Sequence, residues 1–385
     1  MSDKNHTIPN GWKKMTLGDV AAPSKLQWKP GDKDQKYIGL EHINQGELAI
    51  NGYGYSSKLE SNKFYFKKGD VLFGKLRPYF RKVWKASFDG VCSTDIWVLK
   101  TKNGFDQNYL FYFVANPLFI DKSMGASIGT HMPRADWHFL ENTQWNFPSL
   151  PEQTAIASVL SSLDDKIELL RDQNKTLEAT AQAIFKEWFV NFNYPDATGK
   201  MIDSELGEIP KGWKIGKVND VIERFSITYR CEKDDLSPRG KTPILDQGAS
   251  GLYGYTEREP DFQASTENPV IIFTNHTCNM WFINYPFCAI QNTIPFRGNS
   301  EYSTFFVFYM TLGQVKFIEY KGHWPDFERK QYVIPMPDIA NRFSETVKPL
   351  QYKIWNNNSQ IQTLSIIRDT ILPKLMKGEV RVNKY

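Results

Sequence analysis

Residues Ile8–Val20 read "IPNGWKKMTLGDV", and residues Ile209–Val221 read "IPKGWKIGKVNDV". At an offset of 201, Ile, Pro, Gly, Trp, Lys, Asp and Val recur in register. A chain of 385 residues is long for one hydrophobic core and suits two domains or more. The recurrence implies that those domains are copies of one unit. At an offset of 200, "YGY" occurs at Tyr53–Tyr55 and Tyr253–Tyr255, and "VLF" at Val71–Phe73 aligns with "IIF" at Ile271–Phe273. The β-branched and aromatic composition of the last pair predicts short buried strands. "YLFYFV" at Tyr109 resembles "FFVFYM" at Phe305, and "GTHMP" at Gly129 loosely resembles "GHWP" at Gly322.

By Pro148 and Pro335 the offset has fallen to 187, so the second globular part is the shorter. Two segments with helical spacing follow these prolines. In the first, Ile156, Leu160, Leu163, Ile167, Leu170, Asn174, Leu177, Ala181, Ile184 and Trp188 alternate four and three apart. Adding 187 gives Phe343, Val347, Leu350, Ile354, Asn357, Ile361, Leu364, Arg368, Ile371 and Leu375. An apolar seam sustained over more than four heptads signals a coiled coil, here with both strands in one chain. "SLPE" at Ser149–Glu152 has capping-box spacing with Pro in the first turn. Asn174 and Asn357 interrupt the seams. Each either fixes the pairing register as a buried amide or faces water. Pro349 and Pro373 lack the amide hydrogen of a helix interior, which predicts a kink near the first and an end or bend near the second.

The expected fold class is therefore α+β. Two similar globular domains, 1–148 and 194–335, alternate with two long helices, 149–193 and 336–385. The helices are expected to pack as an antiparallel intramolecular coiled coil, giving a pseudo-twofold molecule. Each would run for roughly 35 residues, or about 50 Å. A DNA turn is about 34–36 Å, so such a strut suits two reading heads on successive turns of one duplex.

The net charge is +4 and the pI about 8.6, which permits a nucleic-acid partner but requires a local patch to carry it. The four cysteines, Cys92, Cys231, Cys278 and Cys288, show no C-x-x-C pair and read as reduced thiols of a cytoplasmic protein. Cys278, Cys288 and His276 match no common zinc spacing, so no metal is expected. The N-terminal "MSDKNHT" lacks an apolar core, and no uninterrupted apolar run approaches a membrane span.

One segment stands out for DNA. "GKLRPYFRKVWK" at Gly74–Lys85 carries Lys75, Arg77, Arg81, Lys82 and Lys85 without an acid, interleaved with Tyr79, Phe80 and Trp84. Cations pair with phosphates, and Arg can fork onto guanine O6 and N7. A solvated face is the plain alternative for any one of these residues. At the aligned place the second domain reads "TNHTCNMWF". There Asn275, His276 and Asn279 are candidates, because Asn suits adenine edges, or else they are turn residues. Further candidates are His131 and Arg134 in "THMPRADWH", Arg239 and Lys241 in "YRCEKDDLSPRGK", and His323 in "YKGHWPDFERK". Each histidine taken alone fits a structural role.

Enzyme motifs are missing. There is no Walker phosphate loop, no G-x-G-x-x-G after a strand, no H-E-x-x-H and no G-x-S-x-G. "NPL" at Asn116 and "NPV" at Asn268 lack the second Pro and the aromatic of a base-gripping methyltransferase loop. "PDFERK" at Pro325 places its carboxylates two residues apart, too close for a metal-nuclease pattern.

"FGKLRPYFRKVW", "PSLPEQTAIASVLSSLDDKIELL" at Pro148–Leu170 and "ILPKLMKGEVRV" at Ile371–Val382 resemble the specificity subunits of type I restriction–modification systems. The resemblance extends over essentially the whole chain. The second domain departs from the "GKLRP" pattern, and its helix begins "PMPDIA" in place of "PEQ". The resemblance implies a non-catalytic subunit whose two target-recognition domains read a bipartite, asymmetric site in double-stranded DNA. The helices would set the gap and dock two modification subunits. Those partners would bind S-adenosylmethionine and methylate adenine N6. Restriction subunits would bring ATP- and magnesium-dependent translocation and cleavage, and this chain would hold no cofactor. Two other readings remain: a self-contained methyltransferase or nuclease with a non-standard active site, and a coiled-coil interaction protein without a DNA role.

Overall fold

The two "P-x-G-W" stretches form the same turn. In the computed structural model, which describes residues 8–125, 132–227, 235–237, 240–248 and 251–382, the carbonyls of Pro9 and Pro210 accept the amides of Trp12 and Trp213 at 3.0 Å. The third turn position needs positive φ, and Gly11 (82°) and Gly212 (93°) supply it. Both tryptophans are thereby buried. The strand that follows each turn, Lys13–Thr16 or Lys214–Lys217, pairs antiparallel with Gln144–Phe147 or Gln331–Ile334. Asp19 and Asp220 then close the same hydrogen bond, accepting the amides of Thr16 (3.0 Å) and Lys217 (2.8 Å).

The chain divides into two units, Met1–Leu169 with Gln360–Tyr385, and Leu170–Ser359. Each long helix contributes to both. In the first unit, Val71–Gly74 and Ile96–Thr101 are the central strands of a four-stranded antiparallel sheet, with Val83–Lys85 and Ala21–Pro23 at its edges. In the second, Val270–Thr274 and Thr293–Gly298 are central, with Met280–Ile283 and Ile222–Arg224 at the edges. Order and sense are the same. A second sheet in each unit repeats a mixed triplet. Lys36–Ile38 lies between antiparallel Gly54–Tyr55 and parallel Gly90–Cys92, and Thr242–Leu245 between antiparallel Leu252–Thr256 and parallel Cys288–Ala289. The fold is α+β, and the two units are similar.

The shortening of the second unit has a location. The apolar helices Gln107–Ala115 and Thr304–Thr311 start 197 apart, three fewer than the offset of 200 at Val71–Phe73 and Ile271–Phe273. The difference lies in the hairpin loop, 75–82 in one unit and 275–279 in the other. The helices starting at Trp137 and Trp324 are 187 apart. The ten residues lost here correspond to the helix Pro117–Gly125, which has no counterpart among the described residues of the second unit.

The long helices span Leu150–Phe189 and Pro337–Lys377, 40 and 41 residues, or about 60 Å each at 1.5 Å per residue. They pair antiparallel within each unit. In the first, Ile156 and Leu160 share a core with Leu372 and Leu375. In the second, Phe185 and Trp188 pack on Phe343, with ring centroids 5.6 and 5.9 Å apart. No residue of either seam is exposed: Ile156, Leu160, Ile167, Leu170, Ala181, Phe343, Val347, Ile354 and Leu375 are buried, and Leu163, Leu177, Ile184, Leu350, Ile361, Leu364 and Ile371 are half-buried.

The two polar interruptions differ. Asn357 is fully buried and donates to Asn174 Oδ1 at 2.8 Å, while Asn174 donates to Asn358 at 2.7 Å. Arg368 is 2% exposed, and its Nη1 meets Asp164 Oδ1 at 2.8 Å. The Tyr112 hydroxyl donates to the other Asp164 oxygen at 2.6 Å. A guanidinium is tolerated at a seam position because this carboxylate is aimed at it.

The helix ends depart from expectation. The second helix continues through both Pro349 and Pro373. Pro349 lies on the exposed side, where water can satisfy the carbonyl it leaves unbonded. The helix stops at Gly378, whose φ of 71° lets the Glu379 amide reach the Lys374 carbonyl at 2.9 Å. Glu152 serves a tertiary contact: its carboxylate accepts Trp12 Nε1 at 3.1 Å and both arms of Arg381 at 2.6 and 2.9 Å. No helix among the described residues is long and apolar enough to cross a membrane.

Candidate nucleic-acid interface

In each unit the hairpin between a central strand and its edge neighbour carries the candidate loop, and a later segment straps across it. The first loop, 75–82, is an unusual backbone. A short turn at Pro78–Phe80 is flanked by Arg77 (φ 51°) and Arg81 (φ 50°), both left-handed without being glycine. Such residues cost about 1–3 kcal/mol each and persist only where their surroundings hold them. Here the Arg77 amide donates to the Pro133 carbonyl at 2.7 Å, and the Arg81 amide to Pro78 at 2.8 Å. The Lys75 carbonyl accepts from Ala135 at 2.9 Å.

The cations of this loop divide into two sets. Lys82 points inward: its ammonium donates to the Leu40 carbonyl at 2.5 Å, and burial lowers its pKa. Lys85 reaches Asn108 at 3.0 Å, and Arg134 reaches Asp95 at 3.2 Å. These three are engaged by the scaffold. Lys75, Arg77 and Arg81 have no ion-pair partner among the described residues. The Nε atoms of both arginines are buried without a hydrogen-bond acceptor. Tyr79 is exposed at the tip and packs on Phe80, with centroids 4.6 Å apart. His131 lies outside the described residues.

The second loop, 275–279, works by other groups. Asn275 is structural. Its Oδ1 accepts the Trp324 amide at 2.8 Å, and its backbone carbonyl accepts that of His323 at 2.8 Å. His276 donates Nδ1–H to the Lys321 carbonyl at 2.8 Å, and no described residue hydrogen-bonds its Nε2. Asn279 is exposed and gives one amide hydrogen to Thr277 at 3.3 Å, so its carbonyl and second hydrogen remain open. His323 was a candidate DNA contact, but it is 1% exposed. Its Nε2 donates to the Glu319 carbonyl at 3.1 Å and its Nδ1 faces Asp326 at 3.3 Å, so it presents no free edge. Lys241 is ion-paired with Glu259. Arg239 lies outside the described residues.

Two features escape a reading of the sequence. Gln247 braces the loop, its side-chain carbonyl accepting the His276 amide at 2.9 Å and its backbone carbonyl the Thr277 hydroxyl at 3.1 Å. Phe317, Ile318 and Tyr320 stand in solvent on the strap, and the Tyr320 ring stacks on His276 at 4.9 Å. The only sequence signal is an apolar pair and a tyrosine, "FIEY", with no strand or helix periodicity to bury them.

Against known proteins, residues 9–179 match the type I restriction modification DNA specificity domain. The chain is 28% identical to the type I restriction enzyme MjaIX specificity subunit of Methanocaldococcus jannaschii, over 98% of this chain and 95% of that one. The chain is thus similar to type I restriction-enzyme specificity subunits along nearly its whole length. The HindI specificity subunit of Haemophilus influenzae is 27% identical over 96% of this chain and 99% of its own length. The crystal structure of a type I S subunit from M. genitalium superposes with a TM-score of 0.56 at 16% identity, covering 100% of this chain and 99% of that one, so the fold is shared. In this chain the two loops are thus the parts that a common scaffold leaves unlike.

Proposed function

We propose that this chain is the DNA-reading subunit of a type I restriction–modification complex, each unit reading one half of a bipartite, asymmetric target. One observation carries the reading. Two units of the same strand order hold, at the same hairpin, loops of different length and chemistry: arginines without counter-ions in one, Asn and His edges in the other. A duplicated scaffold bearing two unlike polar loops suits two different half-sites. The chain works beside methyltransferase and restriction subunits. We assign two modification subunits to the complex, with S-adenosylmethionine bound by them, ATP and magnesium by the restriction subunits, and no cofactor by this chain. The paired helices act as the ruler between half-sites. The similarity to specificity subunits gives a self-contained methyltransferase or nuclease no support.

Methylation mapping of host DNA with and without the chain tests this. A bipartite adenine-methylated motif should vanish with the chain. Deleting one heptad from both long helices should change the gap and leave both half-sites as they were. A gap that stays fixed removes the ruler role.

A further inference from the structure

The strap of the second unit has a construction that its role as a brace does not require. Two histidine rings pin its backbone from below. His323 Nε2 holds the Glu319 carbonyl at 3.1 Å and His276 Nδ1 holds the Lys321 carbonyl at 2.8 Å. The Phe317 ring rests edge-on against His323, with centroids 6.1 Å apart. Between and beside these anchors, Ile318 and Tyr320 are each 82% exposed, and Phe317 is 55% exposed. Single exposed apolar side chains are ordinary, but three within four residues on a pinned backbone form a preorganised apolar prong. Its charge is balanced locally. The Lys321 ammonium lies 3.4 Å from Glu319 and 3.5 Å from Asp326.

We propose that Ile318 and Tyr320 form a base-stacking prong, by which the second unit opens a base step in its half-site and reads it through unstacked base faces. The assignment rests on the DNA-reading role above and names how one unit performs it. The prong stands beside the open edges of His276 and Asn279, whose loop corresponds to the arginine loop of the first unit. That first loop offers uncompensated cations to phosphates or guanine edges, and its affinity falls with salt. The second loop offers no free cation among Asn275, His276 and Asn279. A π face and an aliphatic wedge supply a different kind of contact, worth about ten- to hundredfold in affinity per stacked base and insensitive to salt. The His276 ring under Tyr320, parallel within 15°, holds that face ready.

The test uses the full chain assembled with its modification subunits. The DNA is a duplex of the mapped target carrying 2-aminopurine at successive positions of the second half-site. Binding should raise the fluorescence at one step. Replacing both Ile318 and Tyr320 by Ala should abolish that rise and weaken binding about ten- to hundredfold, with the salt slope unchanged. Both side chains are in solvent, so the fold is kept, and Tyr320→Phe should restore the signal because the ring face returns. The assignment is overturned if no position brightens with the unsubstituted complex, or if the double substitution leaves affinity and fluorescence alone. It is also overturned if that substitution blocks assembly with the modification subunits, since the prong is then a protein contact. Absence of specific DNA binding by the unsubstituted complex removes the reading role itself, and the prong with it.

Discussion

The two units share strand order, turn chemistry and helix pairing, yet they place their polar residues differently. In the first, the loop is cationic, and the polar residue of the helix seam is a charged arginine held by Asp164. In the second, the loop holds Asn, His, Thr and Cys with no lysine or arginine, and the seam holds an amide pair. A common scaffold therefore fixes where a loop stands and which helix face is covered, and leaves open what chemistry occupies those places. Duplication supplies geometry, and divergence within that geometry supplies identity to each half.

The largest expected difference lies in the seams. Arg368→Ala leaves Asp164 against the apolar first core with only Tyr112 to satisfy it, and should cost about 3 kcal/mol in the first unit. Hydrogen exchange read separately on Gln107–Ala115 and Thr304–Thr311 locates the loss, since a chain of two units need not unfold in one step. Replacing both members, Asp164→Leu with Arg368→Leu, should return most of the stability, because an apolar pair carries no desolvation penalty. Equal loss of protection in both units would break the contrast.

The loops come next. Arg77→Ala with Arg81→Ala should lower specific affinity about tenfold or more at moderate salt and reduce the slope of log affinity against log salt by about 2. Binding titrations of the assembled complex at several salt concentrations measure it. The fluorescence step assigned to Tyr320 should persist, which separates ionic from stacking contacts. A slope that does not move would make these arginines base readers or scaffold, and the division between the loops would need redrawing.

How much of this was legible beforehand depends on the range of the interaction. "P-x-G-W" encodes its turn locally, and a 4-3 seam encodes its covered face by period alone, so the duplicated architecture follows from the letters. Lys82 looked like its neighbours in a basic run. Its partner is a carbonyl 42 residues earlier, and nothing in the run reveals it. His323 looked like a surface histidine, and its two bonds come from a fold of the strap back on itself. Arg368 looked like a fault in the apolar pattern, because the Asp164 that explains it sits between seam positions of the other helix. Tyr320 gave only the weak signal of an aperiodic "FIEY", since exposure of a ring is a property of what fails to cover it.

The smallest effect is expected where the second seam is polar. Asn357→Leu loses two amide hydrogen bonds, each worth about 1 kcal/mol net. It also removes a buried Oδ1 that has no donor, and adds apolar burial of a few kcal/mol at most. These nearly cancel, so stability of the second unit should change by less than about 1 kcal/mol. What should change is register. The sum of residue numbers for Asn174 and Asn357 is 531, the same as for Ala181 and Leu350, so Ala181→Cys and Leu350→Cys should oxidise to one crosslink in the native pairing. With Leu at 357 the amide no longer rejects a one-heptad slip, and Leu350→Cys should begin to capture Trp188→Cys as well. Loss of several kcal/mol without a second crosslink would mean that Asn357 works as Arg368 does, by satisfying a buried partner, and the two seams would be alike after all.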